Sequence, residues 1–308
     1  MAALGTVTAR FEPALSVAIA LALDSTVGEP PESIHPVAVF GRAIGLLDRP
    51  WPVPRLVGLA IAVLAPVLVA SIAWASVAVL PSMPAGVLAG LALCSTISLR
   101  RLLGSAREVI ATSDADPARA REAIPALVGR DPSDLSPEQL RSGAIESLAE
   151  NLADGFLAPL LAFVLGAQLS LAVGVAAAVW VKAVNTLDSM LGYREKPIGW
   201  ASARLDDLVM WVPARGTALV LAAAGRDPLA LLSARRWKND PPSPNSGWPM
   251  ATLGAVLDVR LEKPGVYVLH PKGSLPDVER ATRAVRVVAL AGGLSGLLAV
   301  LLTGVSIC

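Results

Sequence analysis

The chain has 308 residues, of which 54% are hydrophobic and 17% are charged, and its mean hydropathy is +0.59. Soluble domains carry about 25% charged residues on average, so this composition excludes a soluble globule of ordinary surface. The formal net charge of +1 gives no sign of a nucleic-acid partner. The two cysteines, Cys94 and Cys308, form no CxxC pair, which predicts neither a disulfide framework nor a zinc site.

The apolar residues come in long blocks of Ala, Leu and Val, which is typical of membrane helices and lacks the alternation of a β-barrel. Residues 1–12 form a short polar lead. Residues 13–23 are too short to span a bilayer upright, so we expect a re-entrant or interfacial helix there. Residues 56–79 and 86–99 predict a helical hairpin with a cytoplasmic end, because Arg100 and Arg101 follow it.

Three further apolar runs complete the expected membrane part. Residues 156–181 form either one tilted span or a re-entrant pair of half-helices. Residues 209–224 contain Pro213 and Arg215, which favours a re-entrant or in-plane segment. Residues 285–307 predict a clean closing span.

These runs predict an all-α fold, a polytopic membrane protein with transmembrane and re-entrant helices and cytoplasmic-side helical segments. We expect one integral membrane domain over residues 1–308. Polar segments lie between its apolar runs, at residues 24–55, 100–155, 182–208 and 226–284.

The first polar segment begins with residues 24–44, which we predict to be an ordered loop displaying Asp24, Glu29 and His35. Prolines and a glycine argue against a regular helix there. These interrupting residues are Gly28, Pro30, Pro31 and Pro36.

An acidic helix face precedes the central apolar run. Glu146, Glu150 and Asp154 are spaced by four residues, so on a helix they share one face, with Asn151 beside them. Like charges at this spacing repel each other, which favours a cation such as Mg²⁺ or an ammonium group opposite them. A solvated surface paired with nearby arginines explains the same spacing.

A polar stripe continues the helix that leaves this run. Lys182, Asn185, Thr186 and Ser189 share one helix face, and Asp188 lies next to them. A lysine at the end of an apolar run is commonly a snorkelling anchor. The amide and hydroxyl groups on the same face favour a binding function instead.

Two more clusters lie beside apolar residues. The pair Asp206 and Asp207 can hold Mg²⁺ or form structural ion pairs with Arg204 or Arg215. The segment 241–249 contains a turn of Asn, Ser and Gly whose backbone N–H groups could bind a phosphate. Its members are Asn245, Ser246 and Gly247.

Five segments in order resemble the membrane-bound adenosylcobinamide-phosphate synthases of cobalamin biosynthesis (CobD/CbiB type). They are DSTVGEPPESIHPVAVFGRAI, RSGAIESLAENLADGFLAPLLA, KAVNTLDSMLGYR, ARLDDLVMWVPAR and SPNSGWPMA followed by VRLEKPGVY. Together they extend from residue 24 to residue 267. The sequence departs from the family pattern at Met210, Gly216 and His270.

The resemblance implies an ATP-dependent ligase that joins aminopropanol or its phosphate to the carboxylate of adenosylcobyric acid. It also implies Mg²⁺, membrane lipid around the chain and a multi-pass location in the cell inner (plasma) membrane, and it is compatible with a homo-oligomer. The rival functions are a transporter of a small solute or corrinoid precursor, a membrane phosphotransferase, and a noncatalytic scaffold.

We assign roles within this resemblance as a hypothesis. The catalytic group is Glu146, Glu150, Asp154, Lys182, Asp206 and Asp207. The Mg²⁺ ligands are Glu150, Asp154, Asp206 and Asp207. The ATP-binding group is Arg204, Arg215, Asn245, Ser246 and Gly247. The substrate-binding group is Glu29, His35, Asn151, Asn185, Asp188 and Ser189, with loop 24–36 lining a corrinoid cleft.

Overall fold

The computed structural model describes residues 2–129, 131–193 and 195–304, with side chains from residue 11 onward. In this part the chain is helical apart from one short antiparallel hairpin, which confirms the all-α class. The helices are α1 (Ala2–Thr26), α2 (Pro36–Gly45), α3 (Pro54–Ala78), α4 (Ser82–Cys94), α5 (Leu99–Thr112), α6 (Pro117–Ala123), α7 (Pro137–Leu152), α8 (Ala158–Ala167), α9 (Leu171–Leu191), α10 (Trp200–Val209), α11 (Trp211–Ala224), α12 (Ala230–Ala234), α13 (Gly247–Leu257) and α14 (Val278–Gly304). The strands are β1 (Leu261–Lys263) and β2 (Tyr267–Leu269).

Within the described residues, five helices are long and apolar enough to cross a membrane, which confirms a multi-pass membrane protein. Three of them are single helices, namely Pro54–Ala78, Leu171–Leu191 and Val278–Gly304. The other two combine consecutive helices: Ser82–Thr112 covers α4 and α5, and Pro137–Ala167 covers α7 and α8. A sixth apolar segment, Pro197–Val209 with Trp211–Ala224, is bent by 46°, as a broken span or a re-entrant loop would be. The predicted re-entrant or in-plane segment at 209–224 forms the second half of this bent pair.

The chain contacts group into two compact units. Unit 1 consists of Met1–Ser98, Ala158–Val209 and Gly296–Cys308. Unit 2 consists of Leu99–Leu157 and Met210–Ser295. The single membrane domain over residues 1–308 stays a prediction. Cys308 and the last residues of the predicted closing span lie outside the described part of the chain.

The first helices differ from the sequence prediction. Residues 1–12 were predicted as a lead before the first helix, but α1 is continuous from Ala2 to Thr26. This helix is not among the five candidate spans. The predicted loop at 24–44 is too long, because α2 begins at Pro36. Proline suits the first helical position, where its missing N–H leaves no helical bond unmade. His35 caps this helix, since its Nδ1 accepts from the Val37 N–H at 3.2 Å.

Two helix boundaries were also predicted wrongly. Arg100 and Arg101 do not end the second helix of the hairpin; they lie in the first turn of α5, after a break at residues 95–98. The apolar run at 156–181 is neither one tilted span nor two half-helices. Its first part, α8, continues the helix before it, and its second part opens the 21-residue α9. Both helices pack together through glycines, because a Cβ on Gly166 would lie 2.7 Å from the Val173 carbonyl oxygen.

Unit 1 is built around α9, which packs against α2, α3, α4, α8 and α10. Leu187 and Leu191 of α9 are fully buried and meet Ile44 of α2. The loops after α2 and α9 are joined by a 2.6 Å ion pair between Lys196 Nζ and Asp48 Oδ2. This hydrogen bond with Asp48 raises the pKa of Lys196 above its ordinary value.

Unit 2 is built around α7, which packs against α5, α13 and β1. The helix starts with a capping box, in which Ser136 Oγ accepts from the Gln139 N–H and the Gln139 side chain accepts from the Ser136 N–H. Every residue from Leu140 to Ala149 is buried. A helix buried on all faces is normally apolar, so the charged residues of α7 need partners inside the unit.

The close approach of α3 to the turn before α10 gives a testable prediction. A Cβ on Gly58 would lie 1.9 Å from the Ile198 carbonyl oxygen, which is backbone and cannot rotate away. We therefore expect Gly58→Ala to destabilise the protein by about 3 kcal/mol, at the upper end for overpacking. The measurement is the melting temperature of the detergent-purified chain by circular dichroism.

The matched control is Gly293→Ala in α14, because a Cβ there meets nothing within 4 Å. Alanine is the better helix former, so this variant should melt at or slightly above the wild-type temperature. Equal melting temperatures for the two variants would contradict the packing of α3 on Ile198.

Candidate functional site

The acidic helix begins as predicted and then changes its winding. Glu146 and Glu150 lie on α7, which ends at Leu152, and Asp154 lies on a π-helical turn, Ala153–Leu157. The three acids therefore do not lie on one regular α-helix, and the face that they share stays a prediction. Single π-turns inside α-helices are frequent at functional sites. The turn supports a functional role for this stretch without defining one.

Glu146 is held inside unit 2 by two hydroxyl donors. Its Oε1 accepts from Ser142 Oγ at 2.8 Å, and its Oε2 accepts from the Tyr267 hydroxyl at 2.6 Å. Ser142 Oγ in turn accepts from the Glu262 N–H at 2.8 Å, which ties α7 to β1. Glu146 is only 5% exposed, so it is better placed to fix the hairpin against α7 than to meet a ligand directly.

Glu150 and Asp154 are half-buried and are more accessible than Glu146. Asn151, between them, donates its side-chain N–H to Ser147 Oγ at 2.9 Å and to the Ser147 carbonyl oxygen. Of the three predicted acids, these two are therefore the better candidates for contact with a substrate or an ion.

Arg141 lies on α7 before the acidic residues. Its guanidinium is buried and donates to the Pro276 carbonyl oxygen at 2.7 Å and to Ser113 Oγ at 2.9 Å, and it pairs with Asp114. These bonds join α7 to the segments after α5 and before α14. Arg141 is thus a structural residue of unit 2.

In unit 1, the polar stripe of α9 meets the acids of α10. The Asn185 Nδ2 lies 3.5 Å from Asp206 Oδ1. Asp207 pairs with Arg204 at 3.5 Å, which is one of the two ion pairs that the sequence left open. The structure thus places four predicted site residues in two contacts, Asn185 with Asp206 and Arg204 with Asp207.

The remaining residues of the stripe bond partly within their own helix. Thr186 Oγ1 donates to the Lys182 carbonyl oxygen at 2.7 Å, and Ser189 Oγ donates to the Asn185 carbonyl oxygen at 2.9 Å. The Asp188 carboxylate folds over the end of α9, where a Cβ on Gly192 would lie 1.9 Å from its Oδ1. A side chain at residue 192 would therefore collide with the Asp188 carboxylate in this conformation.

A cavity of about 570 Å³ lies in unit 1 beside Lys182. Loop 24–36 contributes to it through Pro30 and Ile34, and its role in a corrinoid cleft stays a prediction. Glu29 and His35 are not among the lining residues, although both were predicted to bind substrate. The volume is in the range of pockets for drug-sized ligands. The lining is mainly apolar, which suits an apolar group.

In unit 2, the predicted anion-binding turn is already hydrogen-bonded internally. The N–H groups of Asn245 and Ser246 lie 3.2 and 3.4 Å from Ser243 Oγ, which accepts from both. Arg215 donates to Asn245 Oδ1 at 3.1 Å. A phosphate at this turn would therefore bind mainly through side chains, and the predicted backbone cradle around Gly247 is not supported.

The predicted Mg²⁺ ligands are divided between the units. Glu150 and Asp154 belong to unit 2, and Asp206 and Asp207 belong to unit 1. Among the described residues, no three His, Cys, Asp or Glu side chains form a metal-binding group. Mg²⁺ is usually held by one or two carboxylates together with substrate phosphates, so the donor chemistry of the Asp206–Asp207 pair still fits this ion.

Sequence reasoning missed Tyr267 as a partner of Glu146. The tyrosine lies in a segment that carried the family resemblance, but its contact spans 121 residues of sequence. No local spacing reveals a contact of that length. The same holds for Arg141 and Pro276, which are 135 residues apart.

The fold and its clusters define a multi-pass helical membrane protein with carboxylates, amides and cations grouped at the ends of apolar helices. The family model described as CobD/Cbib protein matches residues 17–291. The chain belongs to the CobD/Cbib family.

Several curated proteins are similar to it over most of their length. The probable cobalamin biosynthesis protein CobD of Methanothrix thermoacetophila is 38% identical over 301 residues, covering 92% of this chain and 95% of the relative. The probable cobalamin biosynthesis protein CobD of Methanothermobacter thermautotrophicus is 36% identical over 287 residues, covering 88% and 92%. The cobalamin biosynthesis protein CobD of Pelobacter propionicus is 37% identical over 271 residues, covering 82% and 80%. No solved structure matches the chain.

The hydrogen bond from Tyr267 to Glu146 can be tested by substitution. We expect Tyr267→Phe to lower the free energy of unfolding by about 1–3 kcal/mol, because it removes a donor from a buried carboxyl group. The measurement is unfolding by denaturant in detergent. Tyr193→Phe is the control, since Tyr193 is 52% exposed and its ring contact with Lys196 does not need the hydroxyl. Equal losses in the two variants would contradict the role of Tyr267.

Proposed function

We propose that this protein is an enzyme of cobalamin biosynthesis. It joins aminopropanol or its phosphate to the carboxylate of adenosylcobyric acid in an ATP-dependent reaction, giving adenosylcobinamide or its phosphate. Membership in the CobD/Cbib family supports this, together with relatives named as cobalamin biosynthesis proteins. The apolar helices support a membrane location, which we propose to be the inner membrane. The family and its relatives support a corrinoid as the substrate.

The proposed reaction has two chemical requirements. A carboxylate is a poor electrophile, so it must first be activated, and transfer of a phosphoryl group to one carboxylate oxygen does this. The amine must then lose a proton as it attacks the activated carbon, which calls for a nearby base. Mg²⁺, when bound, would neutralise the charge that develops on the phosphoryl oxygens.

The observation that carries the proposal is the cluster between α9 and α10. Asp206 and Asp207 would hold Mg²⁺ through their carboxylates, with phosphate oxygens completing its shell. Arg204, which pairs with Asp207, and Lys182 would face the phosphate charge. Asn185 holds Asp206 in place. Two adjacent carboxylates, one in contact with an amide and the other with a guanidinium, support the proposal because they offer oxygen donors for Mg²⁺ and positive charge for phosphate.

The remaining roles are proposals that the accessible polar groups support. Glu150 or Asp154 would take the proton of the amine, because both are half-buried beside the π-turn. Glu146 would position this stretch through Tyr267. Further polar residues of the chain would contact substrate. They are Glu29, His35, Asn151, Asp188 and Ser189.

The proposal is tested with the detergent-purified chain, adenosylcobyric acid, aminopropanol phosphate, Mg²⁺ and ATP. We expect an ATP-dependent gain in corrinoid mass by mass spectrometry. The Glu150→Gln variant should lose about 100-fold in rate, the low end for the loss of a general base. The Asp207→Asn variant should need more Mg²⁺ to reach its maximal rate.

The control for both variants is Glu122→Gln, which removes an exposed carboxylate from α6. It should keep the wild-type rate and the wild-type dependence on Mg²⁺. Near-normal product formation by both Glu150→Gln and Asp207→Asn at limiting Mg²⁺ would contradict the site. Absence of any mass gain with the wild-type chain would contradict the function.

A further inference from the structure

Two cationic side chains of unit 2 contact the same indole. The Arg215 Cζ lies 5.8 Å from the centre of the Trp248 ring, and the Lys238 Nζ lies 5.2 Å from it. Arg215 also lies 4.2 Å from the centre of the Trp211 ring. Cations within about 6 Å of an indole centre are attracted by the electrons of its face. Both cations therefore lie within 6 Å of the centre of one indole.

The positive charge of this cluster is not balanced by acids. The Arg215 NH1 donates to two neutral oxygens, the Trp211 carbonyl at 2.7 Å and Asn245 Oδ1 at 3.1 Å. The Lys238 Nζ donates to Asn239 Oδ1 at 2.7 Å. In the described part of the chain, neither cation forms an ion pair with a carboxylate. Two cations on one indole without an acidic partner favour an anion beside that ring.

The backbone around the cluster is tightly fixed. A Cβ on Gly247 would lie 2.0 Å from the Lys238 carbonyl oxygen, so the residue before Trp248 packs directly on Lys238. The side chain of Asn245, which accepts from Arg215, is 5% exposed. Tight packing of this kind pre-organises side chains for a ligand and reduces the ordering cost of binding.

The Trp248 indole adds an unused donor. Its Nε1 is buried and has no hydrogen-bond partner among the described residues. A buried N–H without an acceptor costs about 1–3 kcal/mol, so such groups are rare in folded proteins. An anionic ligand at this indole would supply the missing acceptor.

We infer that Arg215, Lys238 and Trp248 form a binding site for a phosphate ester. A phosphate monoester carries about −1.5 to −2 charges at neutral pH, which matches two cations better than the single charge of a carboxylate does. Arginine binds phosphate through a planar fork of N–H groups, and lysine adds a compact charge. A nucleotide offers a terminal phosphate of this charge, and the phosphodiester headgroup of an anionic lipid, with a single charge, is the alternative source of a phosphate ester. Its identification as a nucleotide rests on the function proposed above, and the site itself does not.

The test measures binding to the full-length chain in neutral detergent, without a corrinoid. In one arm, isothermal titration calorimetry gives the Kd for ATP. In the other arm, native mass spectrometry counts the phosphatidylglycerol retained, with phosphatidylcholine as the uncharged comparison. The variants are Lys238→Ala, Lys238→Arg and Trp248→Phe, which removes the indole N–H but keeps an aromatic ring.

The matched control is Arg236→Ala, which removes an exposed positive charge two residues from Lys238. The melting temperature of each variant is measured, and binding is compared only among variants that melt at the wild-type temperature, so that a folding defect is recognised. Lys238→Ala should weaken binding of one ligand about tenfold, as expected for a lost charged hydrogen bond. Lys238→Arg should recover most of the loss, Trp248→Phe should weaken binding less, and Arg236→Ala should change nothing.

Loss confined to the ATP arm supports the site with a nucleotide as its ligand, and loss confined to phosphatidylglycerol supports it with a lipid headgroup. Unchanged binding of both ligands by Lys238→Ala, or an equal loss with Arg236→Ala, overturns the inference. Because the assay contains no corrinoid, ATP binding by a chain that forms no amide would separate this site from a failure of the proposed function.

Discussion

The fold of unit 2 depends on two charges that are buried on one helix. Arg141 and Glu146 lie inside the unit on α7, where an unpaired charge would cost several kcal/mol. Both are therefore provided with partners from distant segments. Arg141 reaches Ser113 and the Pro276 carbonyl oxygen, and Glu146 reaches Tyr267. These bonds bring together the segments around α7 and explain why a helix with charged residues can be buried on all sides.

The need to pair buried charges also distinguishes Glu146 from the two acids proposed to act in the reaction. Glu146 has the same spacing as Glu150 and Asp154, but its two carboxylate oxygens are already bonded within unit 2. The π-turn that follows α7 changes the winding at Asp154 and leaves it half-buried. The chemistry proposed for the amine therefore falls on Glu150 and Asp154, while Glu146 holds the stretch in place.

The sequence was informative where the physics is local. Apolar length predicted the spans at α3 and α14, because about 20 apolar residues are needed to cross a bilayer. The prolines were misleading. Pro36 was expected to prevent a helix, but it is the first residue of α2. Proline is unfavourable inside a helix but favourable at its first position, and composition alone does not tell these apart.

The sequence indicated candidate residues for the site, but it did not indicate which of them contact each other. The spacing of Asp206 and Asp207 left Arg204 and Arg215 open as partners, and only the structure shows that Arg204 pairs with Asp207. Lys238 drew no attention in the sequence, because its place at Trp248 depends on the packing of a turn ten residues further on. Contacts of this kind are set by tertiary packing and carry no short-range pattern.

The central claim is that phosphorylation activates the corrinoid carboxylate before the amide forms. It can be tested most directly with adenosylcobyric acid whose reacting carboxylate carries a heavy oxygen isotope. Attack by that carboxylate on the terminal phosphorus of ATP, followed by attack of the amine, expels phosphate with one carboxylate oxygen. The account predicts labelled inorganic phosphate formed in step with the amide. Amide formation with the label absent from inorganic phosphate would contradict it.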